Sequence, residues 1–425
     1  MHKIGTFAGM RLSGLASSLQ TRPQLWVLAA AGLTYGLTRS PYLGFGDSIG
    51  FALQAVTGFD LATNATSHLL YAVLNRLLVL ALPGADPALI LTAGAGVFAL
   101  LALERVYRLC RHCGLPAGSS AVAVLIFGLG FTWWRQAVQA EVYAFSTWLA
   151  CGFLAAAACN LRDGRTALRM SAWLGLALLA HIQYVLLLPA WLYALLRPGT
   201  GWRQPALAGL ALAGISAPLW VLPLALHTHP LRAVLFDHQF QGQVLAFSAG
   251  QLLRGAALSA GYLVYNFHLW LLPAAAGTVR LWQRQRRAWL LLLLAGGPLW
   301  AFAMRYAVTD SYVFFILPYA ALTPALAAGL ERACADGKRT LLLAGAAWVL
   351  APLLYAGAWQ AAERLPRAAA FAAPKAYKGG LRYYLWPGLE RAPDPLQLAK
   401  DIEAGRTAPI ADFDRYPAAL ELSRR

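Results

Sequence analysis

The chain has 425 residues, 59% of them hydrophobic and 12% charged, whereas a soluble globular domain carries roughly 45–50% apolar residues, so that class is excluded. Its 35 Lys and Arg outnumber its 18 Asp and Glu, for a formal charge of +17. The basic residues sit in short gaps between long apolar runs, which excludes a nucleic-acid surface and fits the positive-inside pattern of a polytopic membrane protein.

In chain order, residues 1–23 carry Lys3, Arg11 and Arg22 with no short apolar core followed by a cleavage site. They are expected to be a cytoplasmic N-terminus ahead of a retained first helix. The basic gaps are Arg105, Arg108 and Arg111, then Arg162, Arg165 and Arg169, then Arg197 and Arg203, then Arg280, Arg284, Arg286 and Arg287, then Lys338 and Arg339. Placing them in the cytoplasm predicts spans at 24–40, 86–104, 118–134, 141–161, 205–226, 253–279, 288–305, 311–330 and 340–360. The stretch 170–196 is bracketed by Arg169 and Arg197, so both of its ends belong on one side. A hairpin of two short helices turning near His181 satisfies both, and irregular backbone at such a turn is tolerated where it lines a polar cavity. The expectation is an all-α polytopic membrane protein with about eleven transmembrane helices across 24–360.

Between the first two spans, the external loop 41–85 repeats apolar residues at helical spacing, as Phe51, Leu53 and Val56 and again as Leu69, Leu70, Val73 and Leu77. This predicts helices lying on the membrane surface. A second external loop, 227–252, holds His227, His229, Arg232, Asp237 and His238, with no spacing that selects a metal. Residues 361–425 contain 8 of the 18 acids and are expected to form a small external tail. Cys110 and Cys113 stand without a second pair among five cysteines, so neither a zinc site nor a disulfide framework is indicated. Asn64-Ala65-Thr66 fits a glycosylation acceptor, a frequent chance match.

In this topology the external carboxylates of the membrane body are Asp47, Asp60, Asp86, Glu141, Asp237 and Asp310. Asp47 lies in Gly44-Phe45-Gly46-Asp47-Ser48, where glycines allow close backbone approach and the acid is either a proton acceptor or the cap of the next helix. Glu141 follows Trp133-Trp134-Arg135-Gln136 and precedes Tyr143, in a turn where it is placed to bond Arg135. His181 sits in an otherwise apolar stretch, either as a satisfied core histidine or facing a cavity. Asp310, Ser311 and Tyr312 open the tenth span after Arg305 and Tyr306, and capping accounts for Asp310.

Four stretches together resemble the protein O-mannosyltransferase-like branch of the GT-C glycosyltransferases. They are Gly46-Asp47-Ser48, Trp134-Arg135-Gln136-Ala137 with Glu141-Val142-Tyr143-Ala144, Leu179-Ala180-His181 with Leu187-Leu188-Pro189, and Asp310-Ser311-Tyr312-Val313-Phe314-Phe315 with Pro318. The resemblance covers about residues 20–330. The family's usual second acid is replaced by Ile49-Gly50-Phe51 and its His-Pro-Pro-Gly-Tyr-Pro stretch by Asn64-Ala65-Thr66-Ser67-His68-Leu69, which leaves the acceptor open. The resemblance implies a GT-C fold and transfer of a sugar, such as mannose, from a polyprenyl-phosphate carrier to an acceptor, a protein hydroxyl in that branch, outside a bacterial inner membrane. Asp47 is then the base, and Arg305, Arg135 and His181 are candidates for the donor phosphate. Glu141, Tyr143, Asp310 and Tyr312 support them, and no metal ligand set is indicated, although a divalent metal stays open. An enzyme acting on lipid or polysaccharide, or a polytopic lipid or sugar transporter, are the alternatives.

Overall fold

The computed structural model describes residues 22–59, 61, 68–196, 201–226, 248–306 and 310–425, and every regular element among them is helical. Lys3, Arg11, Asp60, the Asn64-Ala65-Thr66 triplet, Arg197, and His227, His229, Arg232, Asp237 and His238 lie outside the described residues. The helices are α1 (Pro23–Thr38), α2 (Asp47–Thr57), α3 (Leu69–Ala81), α4 (Pro87–His112), α5 (Ala117–Gly128), α6 (Phe131–Ala137), α7 (Val142–Asp163), α8 (Ala167–Ala180), α9 (Leu188–Leu195), α10 (Arg203–Ser216), α11 (Pro218–Ala225), α12 (Ala249–Phe267), α13 (Leu271–Arg284), α14 (Arg286–Arg305), α15 (Ile316–Leu330) and α16 (Gly337–Glu363). The tail adds α17 (Pro366–Ala372), α18 (Gly380–Leu385), α19 (Pro395–Glu403) and α20 (Tyr416–Ser423).

Among the described residues, five segments are long and apolar enough to cross a membrane, and seven when each of two bent pairs counts as one span. The remaining expected crossings are α1, the 170–196 hairpin and the 253–279 span, which are short or broken. Helix α7 and the Ser311–Leu330 segment form the centre, with 83% and 89% of their apolar windows buried, whereas α16 is 17% buried and turns most of its apolar surface outward. Where α13 crosses α15, a Cβ on Gly277 would fall 1.8 Å from the Ala325 carbonyl oxygen, so these backbones touch only because glycine stands there.

Three expected spans are interrupted, the 205–226 stretch among them, bent by 44° between α10 and α11 at Ala217 and Pro218. The 118–134 stretch bends by 73° between α5 and α6, where Leu129 caps the first helix and Gly130 precedes the second. The 253–279 stretch breaks at a 3₁₀ turn, His268–Trp270, with His268 at φ 48°, a left-handed conformation; Asn266 and His268 beside it and Pro273 after it mark the break in the sequence. The hairpin is present. Trp191 Nε1 donates to Ser171 Oγ at 2.8 Å across its arms. Asn160 ties both ends, donating to the Ala194 carbonyl at 2.9 Å and accepting from the Thr166 amide at 3.2 Å. The chain turns at His181, which is extended at φ −161° and ψ 121°.

This geometry sorts the two ends of the bundle. Helix α7 has Glu141 at its start and Arg162 near its end, 21 residues apart, or about 32 Å at 1.5 Å per residue, close to the thickness of a hydrocarbon core. Among the described residues Arg108 and Arg169 gather near Arg162, opposite Glu141, and the Gln285 turn meets Gly114 at that end, while the hairpin tip brings His181 beside Tyr143 at the Glu141 end. The loop helices appear as α2 and α3, clasped where Arg76 Nη1 donates to the carbonyls of Ala55 and Val56 at 2.9 and 2.6 Å. Residues 361–425 do not stand apart as an appendage. Ile49 of α2 forms an apolar cluster with Ala399, Phe413 and Ala419, and Leu389 N donates to the Thr38 carbonyl at 2.9 Å.

Candidate functional site

The Glu141 end of the bundle collects most of the sequence candidates. Gly46 adopts φ 86° and ψ −133°, which only glycine enters freely, and this turns the loop into α2 with Asp47 as its first residue. A Cβ on Gly44 would lie 2.8 Å from Ser48 Oγ, so glycine there leaves that hydroxyl free to donate to Glu141 Oε1 at 3.1 Å. Asp47 makes no capping bond. Its Oδ1 instead accepts from Arg415 Nη2 at 2.9 Å, with both side chains about half exposed. Arg415 holds φ 65°, an uncommon conformation for a non-glycine residue, immediately before α20.

Arg135 is carried on the short helix α6. The free amides at the start of α6 are satisfied by the body of the protein: Phe131 N donates to Tyr355 Oη at 2.7 Å and Thr132 N to Asn266 Oδ1 at 2.8 Å. Trp134 Nε1 donates to Thr38 Oγ1 at 2.8 Å, which fixes the helix against α1. Arg135 is 1% exposed. Its Nη2 donates to the Tyr383 carbonyl, and its guanidinium lies 4.6 Å from the Tyr383 ring centroid and 5.8 Å from that of Phe131. Nε and Nη1 have no partner among the described residues. The expected Arg135–Glu141 bond is absent, because the tail draws the guanidinium to Tyr383 while Ser48 occupies Glu141.

His181 packs 4.9 Å from the His68 ring and 5.9 Å from that of Tyr143, and its Nδ1 accepts from Gln183 N at 3.3 Å, an assignment that leaves the proton on Nε2. His68 Nδ1 lies 3.2 Å from the Ala180 carbonyl. Tyr312 sits 6.1 Å from Phe131, ring to ring, and lies within electrostatic reach of both Arg135 and Asp310. Asp310 does not cap the 3₁₀ turn Ser311–Phe315 that follows it, contrary to expectation. It keeps solvent contact while protein surrounds it on most sides, and this partial burial, with the neighbouring Asp47 and Asp414, raises its carboxyl above the usual range. Arg305 ends α14, half-buried, beside Tyr306, whose ring packs 5.0 Å from Phe314; Phe314 in turn meets His181 at 6.3 Å. Asp86, another expected external acid, caps α4 by accepting from Ala88 N at 2.8 Å and takes no part.

Sequence reasoning missed the tail. Lys378, Tyr383 and Arg415 all come from residues 361–425, and His68 from α3's entry, and no local pattern placed any of them here. On the lipid side, an apolar cleft of about 230 Å³ is lined by Leu269, Leu272, Pro273, Leu350 and Leu354, with Asn266 and Tyr355 at one edge. Those two are the side chains that hold the start of α6, so the cleft abuts the helix bearing Arg135. Among the described residues, no three His, Cys, Asp or Glu side chains gather as a metal site.

No family model and no curated protein matches the chain. Solved structures do. ArnT from Cupriavidus metallidurans bound to undecaprenyl phosphate matches with a TM-score of 0.60 at 15% identity, over 94% of this chain and 74% of that one. The same protein in its apo state gives 0.57 at 14% identity over the same shares. The apo oligosaccharyltransferase of Archaeoglobus fulgidus gives 0.54 at 12% identity, over 78% of this chain and 56% of its own length. At these identities the likeness defines the fold alone, a polytopic helical membrane architecture shared with those proteins.

Proposed function

We propose that the chain is a membrane glycosyltransferase that moves a sugar from a polyprenyl-phosphate-linked donor to an acceptor hydroxyl at the external face. The observation that carries this is the meeting, at one end of the bundle, of a half-exposed carboxylate, Asp47, with a buried guanidinium, Arg135, that keeps two donors unpartnered. A solved structure of the same fold that binds undecaprenyl phosphate supports the donor class.

The acceptor O–H gives its proton to Asp47, its oxygen bonds the anomeric carbon, and the bond from that carbon to the phosphate oxygen breaks. Polyprenyl phosphate leaves with the electron pair. One carboxylate suffices, because the phosphate is already a good leaving group, and Oδ2 of Asp47 has no partner among the described residues to compete for the proton. Arg135 meets the departing charge with its free Nε and Nη1, and Arg305 and the Nε2–H of His181 are the further phosphate candidates. Glu141, Tyr143, Asp310 and Tyr312 shape the polar wall. The cleft beside α6 offers the apolar lining that the polyprenyl chain needs. A transporter would place its ionisable groups near mid-membrane, whereas these cluster at one end.

By the family resemblance the sugar is mannose and the acceptor a protein hydroxyl. Mass spectrometry of the purified protein should find polyprenyl phosphate, and membranes containing it should glycosylate a protein acceptor from a polyprenyl-phosphate mannose donor. Product on lipid or polysaccharide alone would reassign the acceptor, and absence of both ligand and product would defeat the proposal. The orientation belongs to the same proposal, with the N-terminus in the cytoplasm of a bacterial inner membrane and the site and C-terminus outside. A reporter fused after Arg425 is expected to be active only in the external compartment; activity confined to the cytoplasm would reverse the topology.

A further inference from the structure

The C-terminal segment brings three cations to this end of the bundle in direct contact with an acid: Lys375 with Asp412 at 3.6 Å, Arg415 with Asp47 at 2.9 Å, and Arg382 with Glu390. Lys378 differs. Among the described residues its ammonium has no carboxylate within ion-pair distance and no hydrogen-bond acceptor, yet it is half-buried. Nζ lies 5.8 Å from the Phe45 ring centroid and 5.7 Å from those of Tyr377 and Tyr383. Burial, followed by the nearby Lys375, lowers its pKa, with Asp414 and Asp310 opposing from a distance. Three aromatic faces hold the ammonium in place, and its N–H groups remain available to an acceptor from solvent or a ligand.

The Tyr383 ring is shared. Arg135 stands 4.6 Å from the centroid that Lys378 approaches to 5.7 Å, so one aromatic ring carries two cations, Arg135 with two buried unpartnered donors and Lys378 with no acid or acceptor among the described residues. Two cations packed on one ring, neither of them neutralised by an acid among those residues, suit a bound anion. Phe45, the neighbour on the other side of Lys378, belongs to the Gly44-Phe45-Gly46-Asp47 turn, which puts the ammonium beside the candidate base as well.

We propose that Lys378 binds a phosphate oxygen, forming with Arg135 a two-cation site across the Tyr383 ring, so that the C-terminal segment takes a direct part in holding the donor. This rests on the polyprenyl-phosphate reading above. A phosphate ester of the donor and free phosphate share this chemistry, and the test separates them.

Binding of a polyprenyl phosphate is measured on the full-length protein in lipid nanodiscs, for wild type, Lys378→Met, Lys378→Arg and Lys375→Met. Lys378→Met should weaken binding about ten- to hundredfold, the range of a hydrogen bond to a charged group. Lys378→Arg should stay within a few fold and Lys375→Met should match wild type. In parallel, wild-type protein is acylated with an amine reagent, and saturating polyprenyl phosphate should protect Lys378 but not Lys375, a readout that needs no variant to fold. Equal affinity for wild type and Lys378→Met, or unchanged acylation of Lys378, overturns the proposal and leaves the donor reading standing. Wild type that binds no polyprenyl phosphate overturns the donor reading itself. Equal protection by inorganic phosphate at the same concentration overturns the lipid assignment.

Discussion

Asp47→Asn is expected to lower sugar transfer by about 10²–10⁴, the range a positioned general base supplies, with the fold nearly unchanged. Asparagine keeps the shape of the side chain, and its carbonyl oxygen still accepts from Arg415, so what is lost is the capacity to take a proton. The Asp47–Arg415 pair is about half exposed on both sides, and such a pair contributes about 0–1 kcal/mol to stability, so the thermal midpoint should move little. The turn itself is set by Gly46 and by Ser48 reaching Glu141, neither of which the substitution touches. The measurement is transfer from a polyprenyl-phosphate sugar by purified protein, alongside a thermal unfolding curve. Activity within about tenfold of wild type, with an intact fold, would place the base elsewhere, and Glu141 is the next carboxylate inward.

What could be read from the sequence follows how local the cause is. The surface helices of the first loop and the hairpin at His181 were legible, because apolar spacing fixes a helix face and two arginine brackets fix the parity of a segment. Asp47, Arg135, Glu141 and Tyr143 were legible as candidates for a similar reason, since each belongs to a short contiguous block. Their partners were not. Arg415 reaches Asp47 across 368 positions, and the Tyr383 carbonyl meets Arg135 across 248. No periodicity in a tail of mixed polarity encodes that docking; it comes from the small apolar cluster of Ile49, Ala399, Phe413 and Ala419. The expected Arg135–Glu141 bond failed because nearest-neighbour reasoning assigns a polar group to what is close in sequence, and here the tail supplied the Tyr383 carbonyl instead; no contact among the described residues explains why Asp310 leaves its turn uncapped. The interruption at His268 went unread because a span is counted by its overall apolar length, although Asn266, His268 and Pro273 mark a break within it.

Arg135→Met is expected to separate stability from binding. A guanidinium that is 1% exposed, with Nε and Nη1 unpartnered, leaves desolvated donors in the resting protein, each unsatisfied group costing about 1–3 kcal/mol. Methionine fills a similar length without any donor, and it keeps apolar contact with the Phe131 and Tyr383 rings that now flank the guanidinium. Its losses are the bond to the Tyr383 carbonyl and two cation–π contacts, about 0.5–2 kcal/mol each. The two sides nearly offset, so the thermal midpoint of Arg135→Met should stay level or rise, as happens when a buried charge is replaced by a well-packed apolar residue. Donor binding should fall by about 1.5–3 kcal/mol for each charged hydrogen bond removed, which for two bonds is at least a hundredfold. Arg135→Lys should recover only part of that affinity, since a point charge cannot present Nε and Nη1 as a fork. A structural arginine would give the opposite pattern: a markedly lower midpoint in Arg135→Met, with donor affinity preserved in whatever protein remains folded. The sign of the stability change and the loss of affinity are therefore to be measured on one preparation, by thermal unfolding in lipid with and without saturating polyprenyl phosphate, where the ligand-induced rise in midpoint should be large for wild type and absent for Arg135→Met.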